Sequence, residues 1–172
     1  MVFPENLKSE TNYLYVLDLI NHFSKWEYSF LLKNKESKSV VSKIKAFIEM
    51  NEKPILFHND NGKEFDNLEL KMPLENNNIK YIKSAQYHPQ SNGCCEALHK
   101  EIKKLLLDDL EEQKENFDID ASIENDINFH NNRELSSTGY RPVELRNITD
   151  KKIINEVVEN FVKSMKRKLD KF

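Results

Sequence analysis

Two carboxylates, Asp60 and Glu96, stand at the edges of elements, with thirty-five residues between them. Asp60 follows the short apolar run Pro54-Ile55-Leu56-Phe57, which reads as a buried strand. It lies within His58-Asn59-Asp60-Asn61-Gly62-Lys63-Glu64-Phe65. Glu96 closes Tyr87-His88-Pro89-Gln90-Ser91-Asn92-Gly93-Cys94-Cys95-Glu96, a polar loop that runs into a helix. Acids held at a strand end and a helix start suit a hard cation such as Mg²⁺. One or two carboxylates suffice for it, because water and substrate oxygens complete the shell. Each acid also has a plainer role. Asp-Asn-Gly is a turn signal by itself, through an Asx turn. A carboxylate in a first helical turn complements the helix dipole.

The helix that carries Glu96 is expected to run from Asn92 or Gly93 to about Leu110. At about 100° per residue, Leu98, Ile102 and Leu105 form an apolar stripe that faces a core. Glu96, Lys100 and Lys103 fall on the opposite side. Either the lysines pair with Glu96 as a solvated face, or they offer cations to phosphates beside a metal site.

The rest of the chain must position these groups. Asn12–Ile20 and Trp26–Leu32 read as two strands joined by a turn at Asn21–Lys25, a plausible antiparallel hairpin. Asp18 interrupts the first and shares a face with Leu14, Val16 and Ile20. Val40, Val41, Ile44, Phe47 and Ile48 mark an amphipathic helix that starts at Ser37 or Ser39 and ends near Met50. Leu68–Leu74 reads as a short helix interrupted at Pro73, and Ile79–Ile82 as a strand. Further helices are expected around Phe117–Phe129, after a charged turn at Asp108–Glu115, and over residues 150–169, with a basic end at Lys163, Lys166, Arg167 and Lys168. Asn131–Arg141 reads as a loop. An antiparallel start, then crossovers through helices, predicts an α/β fold: a mixed sheet with helices on both faces.

Composition narrows the function classes. The chain has 172 residues, long enough for one sizeable core. Its formal net charge of −3 gives no global attraction to nucleic acid or an anionic membrane, so DNA binding needs a local basic patch. No apolar run approaches the roughly 18–20 residues of a membrane span, and no secretory leader precedes the first strand, so the expectation is no membrane and an intracellular location. Cys94 and Cys95 are adjacent and are the only cysteines. A stabilising disulfide within the chain is not expected, and the five scattered histidines do not supply a structural zinc site.

Taken together, His58–Phe65 and His88–Glu96 resemble the catalytic core of retroviral and retrotransposon integrases, the DDE recombinase family. Leu19-Ile20-Asn21-His22-Phe23-Ser24-Lys25-Trp26 is similar to that family's second-strand motif, with Asn21 where Asp is usual. Asn128–Leu145, with Asn-Asn-Arg and Ser-Thr-Gly-Tyr-Arg-Pro-Val-Glu-Leu, is similar to its late segment, with Leu135 or a neighbour where His is common. The resemblance covers about residues 12–146 and is closest in flavour to transposon and retrotransposon integrases. It implies an RNase H-like fold, DNA as partner, a homo-oligomer and a nuclear location. It also implies two-metal phosphoryl transfer with Mg²⁺ or Mn²⁺, one ion activating the attacking oxygen and the other stabilising the leaving oxygen. Asp60 and Glu96 would then be catalytic metal ligands, and Lys100 and Lys103 would contact DNA phosphates.

The family uses three acids. Asp18 completes a triad in the right order, yet it lies on the strand that matches the family's second, whereas the first acid belongs on the first strand. Met1–Thr11 reads as a loop-like remnant that holds Glu5 and Glu10. The expectation is an incomplete core over residues 1–148 that lacks the first strand and its Asp, followed by a basic-ended helix over 149–172. Neither the family's zinc-binding domain nor a full carboxy-terminal DNA-binding domain is expected. Two functions stay open: a polynucleotidyl transferase, and a non-catalytic relic that binds DNA or protein.

Overall fold

The computed structural model describes residues 1–3, 5, 11–50, 53–59, 62, 64–83 and 93–169, without the side chains of 94 and 164–169. The chain divides into two compact units. One comprises Met1–Asp18 and Ser29–Phe117, the other Leu19–Tyr28 and Asp118–Phe172. The elements are β1 (Tyr15–Ile20), β2 (Glu27–Leu32), α1 (Ser37–Met50), β3 (Leu56–Asn59), α2 (Leu68–Asn76), β4 (Lys80–Lys83), α3 (Gly93–Gln113), α4 (Ile119–Asn132), α5 (Pro142–Leu145) and α6 (Lys151–Leu169).

β1 and β2 form the expected hairpin. Leu14 N donates to Leu32 O at 3.0 Å and Asn21 N to Trp26 O at 2.8 Å, so the pair is antiparallel. At the turn, Asn21 Oδ1 accepts from Phe23 N and Ser24 N, both at 2.9 Å. Asn thus builds the Asx turn as well as Asp would. Residues Met1–Phe3 are not loop. Val2 bridges Tyr15 in antiparallel fashion, and Phe3 N donates to Leu14 O at 3.0 Å. Burial of Phe3 holds this short edge against β1.

β3 and β4 pair in parallel, with Leu56 opposite Lys80 and Asn59 opposite Lys83. Both strand orientations are present, as a mixed sheet requires. Among the described residues they form two separate two-stranded ladders. The expectation that Pro54–Phe57 is a buried strand needs correction. Ile55 is 83% exposed and Leu56 is exposed, while Phe57 and Asn59 are buried. Only one face of the pleat is covered, and side chains alternate between faces.

The first unit's interior gathers Val16, Leu17 and Leu32 from the hairpin, Val40, Val41, Ile44 and Ile48 from α1, and Leu70 and Leu74 from α2. α2 packs on α1 and β4. It runs through Pro73 to Asn76 and does not break there. Asn67 caps it, its Oδ1 accepting from Leu70 N at 2.8 Å. That cap and two fully buried leucines offset the roughly 3 kcal/mol that an interior proline costs.

α3 also extends beyond expectation. Asp108–Gln113 continues the helix, and a 3₁₀ turn, Lys114–Asn116, closes it. Leu, Glu and Gln are strong helix formers, so charge alone does not make a turn. α4 then starts at its own cap, where Asp118 Oδ1 accepts from Asp120 N at 3.0 Å and Ala121 N at 3.3 Å.

The second unit has a polar interior. Ile119, Ile123, Leu145 and Val157 are buried beside Glu27, Asp126, His130, Asn131 and Thr138. His130 Nε2 lies 3.1 Å from Lys25 O. The segment read as loop, Asn131–Arg141, is more ordered than expected: α4 takes Asn131 and Asn132, and Leu135 bridges Tyr140. Thr138 Oγ1 donates toward Tyr140 O at 3.0 Å, and Asn160 Nδ2 on α6 donates to Thr138 O at 3.2 Å. Gly139 has φ of 76°, and a Cβ there would meet only Asn160 Nδ2 at 3.7 Å. The space is ample, so the constraint is conformational. Gly139→Ala is expected to cost about 1–2 kcal/mol, the penalty of left-handed backbone for an L residue, read as a lower urea midpoint at unchanged slope.

Candidate metal and nucleic-acid site

α3 is anchored by Leu98, Ile102 and Leu106, all buried. The stripe therefore advances by four residues each time, and Leu105 is only half-buried. Its opposite side bears the groups singled out from the sequence. Glu96 lies in the first turn, exposed, and Lys100 and Lys103 are exposed further along. No ion pair joins Glu96 to either lysine among the described residues. The carboxylate thus faces solvent in the first turn of the helix.

Asp60 lies outside the described residues, as does the loop 84–92 that leads to α3. The structure places the frame on either side. β3 ends at the buried Asn59. Beyond Asp60, Tyr81 Oη donates to Phe65 O at 3.0 Å, and Asp66 pairs with Lys83 at 2.6 Å and Lys71 at 3.2 Å. The segment after Asp60 is thus tied back to β4. The lysines, first by hydrogen bonds and then by charge, hold the Asp66 carboxyl below its usual range, Lys83 contributing most. A depressed carboxylate stabilises the fold above its unfolded pKa and loses that contribution as pH falls through the folded one. Asp66→Asn is therefore expected to lower Tm slightly at neutral pH, the difference from wild type vanishing on acidification below the carboxylate range. A melting series over pH checks this.

Asp18 sits elsewhere in chemical terms. Its side chain is fully buried, so the exposure that the residue retains belongs to its backbone. Ser29 Oγ on β2 donates to Oδ1 at 2.6 Å. His99 Nε2 on α3 lies 2.8 Å from Oδ2. That second contact is close enough for an ion pair, and Oδ2 gains no hydrogen bond among the described residues. Among the described residues no group of three His, Cys, Asp or Glu side chains is assembled to hold a metal ion. Glu96 is an exposed carboxylate without an ion pair among the described residues, and one or two carboxylates are what Mg²⁺ or Mn²⁺ takes from a protein. Ser29 and His99 were not singled out from the sequence. The available signals were an acid in an apolar strand, which must find a partner, and His99 one turn beyond Glu96.

The fold is α/β and is that of the retroviral integrase catalytic cores. The chain superposes on a chain of the simian T-cell lymphotropic virus intasome in complex with PP2A regulatory subunit B56 gamma, with a TM-score of 0.73 and 20% identity over 82% of this chain and 51% of that one. The catalytic core domain of BIV integrase matches with a TM-score of 0.62 and 19% identity, over 76% and 83% of the two chains. The HTLV-2 integrase catalytic core, in complex with magnesium in a dimeric form, matches with a TM-score of 0.65 and 21% identity, over 78% and 85%. In sequence, 100 residues are 29% identical to the Pro-Pol polyprotein of feline foamy virus, covering 58% of this chain and 9% of the polyprotein. The chain thus spans about half of the intasome chain and a small part of the polyprotein. No family model matches it. Among the described residues no helix is long and apolar enough to cross a membrane.

Proposed function

We propose that the chain acts in integrase-like DNA strand transfer, with Asp60 and Glu96 as metal ligands. The observation that carries this reading is the placement of Glu96 on an integrase-core fold: exposed, in the first turn of α3, and without an ion pair among the described residues. Mg²⁺ or Mn²⁺, when bound, would supply charge stabilisation for oxygens attacking and leaving a phosphorus centre. The chain's own work is positional. Leu98, Ile102 and Leu106 fix the rotation of α3, so that Glu96 faces solvent while Lys100 and Lys103 follow it. At about 1.5 Å rise per residue, Lys103 stands roughly 10 Å along the axis from Glu96, a span suited to following a phosphate backbone. Such contacts orient DNA without reading its sequence. The same reading makes the protein a nuclear homo-oligomer on DNA.

The second reading, a non-catalytic DNA- or protein-binding relic, is favoured by Asp18. Its carboxylate is buried, and its oxygens face the protein's own Ser29 and His99. A Mn²⁺-dependent strand-transfer assay on labelled duplex DNA separates the two. The transferase reading expects product that falls at least about a hundredfold in Glu96→Gln and Asp60→Asn, consistent with loss of a metal ligand. DNA binding without product, and unchanged in both variants, supports the relic. Lys100→Ala and Lys103→Ala should each weaken DNA binding and reduce the salt slope by about one.

A further inference from the structure

We propose that His99 is a metal ligand, sharing a divalent cation with Glu96, and that Asp18 is the outer carboxylate that fixes its ring. The inference rests on the metal-dependent reading of the same helix and deepens it.

Three observations converge. First, Glu96 and His99 are three residues apart on α3, a spacing that puts two side chains on neighbouring positions of one helical face, with Cβ atoms about 5–6 Å apart. Glu and His at that spacing supply ligands to carboxylate-bridged metal centres in helical proteins. Second, the imidazole keeps about a third of its surface, 34%, while its partner Asp18 has none. Nε2 faces the buried acid, so the ring presents its other nitrogen, Nδ1, away from Asp18. A metal-bound histidine characteristically directs its second nitrogen to a carboxylate, which sets its tautomer and raises its basicity. Third, the burial of Asp18 is costly in itself. Enclosing a carboxylate in an otherwise apolar strand costs several kcal/mol unless partners compensate. Ser29 satisfies Oδ1, while Oδ2 lies beside the His99 ring and has no hydrogen bond among the described residues. A cation on Nδ1 would polarise the ring and strengthen its attraction for that oxygen. Asp18 thus has a place in the site one bond-shell out from the metal.

An imidazole ligand also carries a consequence for ion choice. Mg²⁺ takes oxygen almost exclusively, whereas nitrogen donors draw transition ions. The pair Glu96 and His99 should therefore prefer Mn²⁺ over Mg²⁺.

The test is titration of the full chain with Mn²⁺, followed by imidazole NMR and by calorimetry with Mg²⁺ as competitor. The expected result is that His99 ring signals broaden before those of the other four histidines. Mn²⁺ affinity should exceed that for Mg²⁺ at least tenfold. Affinity for Mn²⁺ should fall at least tenfold in His99→Gln and in Glu96→Gln. Asp18→Asn should lose about 10–100-fold, the usual effect of removing an outer partner. The NMR readout uses the unaltered protein, so a variant that fails to fold does not blunt it. If Mn²⁺ binds in a Glu96-dependent way and either His99 is not broadened or His99→Gln binds equally well, this inference falls and the carboxylate site stands. If no Glu96-dependent Mn²⁺ binding occurs, both fall.

Discussion

Asn131→Ala is expected to cost about 2–5 kcal/mol of folding stability. Asn131 is buried on α4 and clasps the backbone of Glu27 at the start of β2. Its Oδ1 accepts from Glu27 N at 2.9 Å, and its Nδ2 donates to Glu27 O at 3.1 Å. Alanine removes both partners and leaves a buried N–H and a buried C=O unsatisfied. Each such group costs roughly 1–3 kcal/mol of desolvation that no bond repays. The cavity is small beside that, since Asn and Ala differ by few atoms. Urea unfolding followed by far-ultraviolet dichroism measures the effect. A loss below about 0.5 kcal/mol would mean that water takes over both groups and that the clasp is not what joins Glu27 to α4.

Leu106→Ala is expected to cost a similar amount, about 2–5 kcal/mol, by a different route. Leu106 is wholly buried on α3. Truncation removes apolar area from the core and leaves a cavity that the neighbours fill only in part. Leu105→Ala, one position earlier and half-buried, should cost about 1 kcal/mol or less. The contrast tests the rotation of α3 directly. Equal losses would mean that the helix is turned from the orientation described, and Glu96, Lys100 and Lys103 with it. Amide exchange on α3 should quicken in Leu106→Ala from the second turn onward, because this stripe fastens the helix that carries the candidate site.

The local pieces were largely readable from residue types. The hairpin, α1, α3, α4 and α6 follow from hydrophobic period and turn chemistry, with ends displaced by a few residues. Asn-Asn-Arg and Thr-Gly were readable as motifs, though not for their cause. Asn131 is a backbone clasp, Thr138 ties a loop to α6, and Gly139 takes a positive φ. The errors have identifiable origins. α2 passes Pro73, α3 passes Asp108–Gln113, and Ile55 and Leu56 face outward. For α2 packing outweighed the local cost of proline, for Ile55 and Leu56 packing failed to cover residues that local chemistry marked as buried, and for α3 helix propensity outweighed charge.

The candidate site divides the same way. The character of Glu96, an acid opening a helix with Lys100 and Lys103 on its far side, follows from spacing along one helix, where 3.6 residues per turn settles which residues share a side. The role of Asp18 does not. Sequence order offers it as a third ligand for the cation. Three-dimensional packing brings β1, β2 and α3 together so that its oxygens meet Ser29 and His99. Those partners are eleven and eighty-one positions away along the chain. A buried charge takes whatever donors the fold brings within about 3 Å, and no periodicity along the chain encodes which those will be.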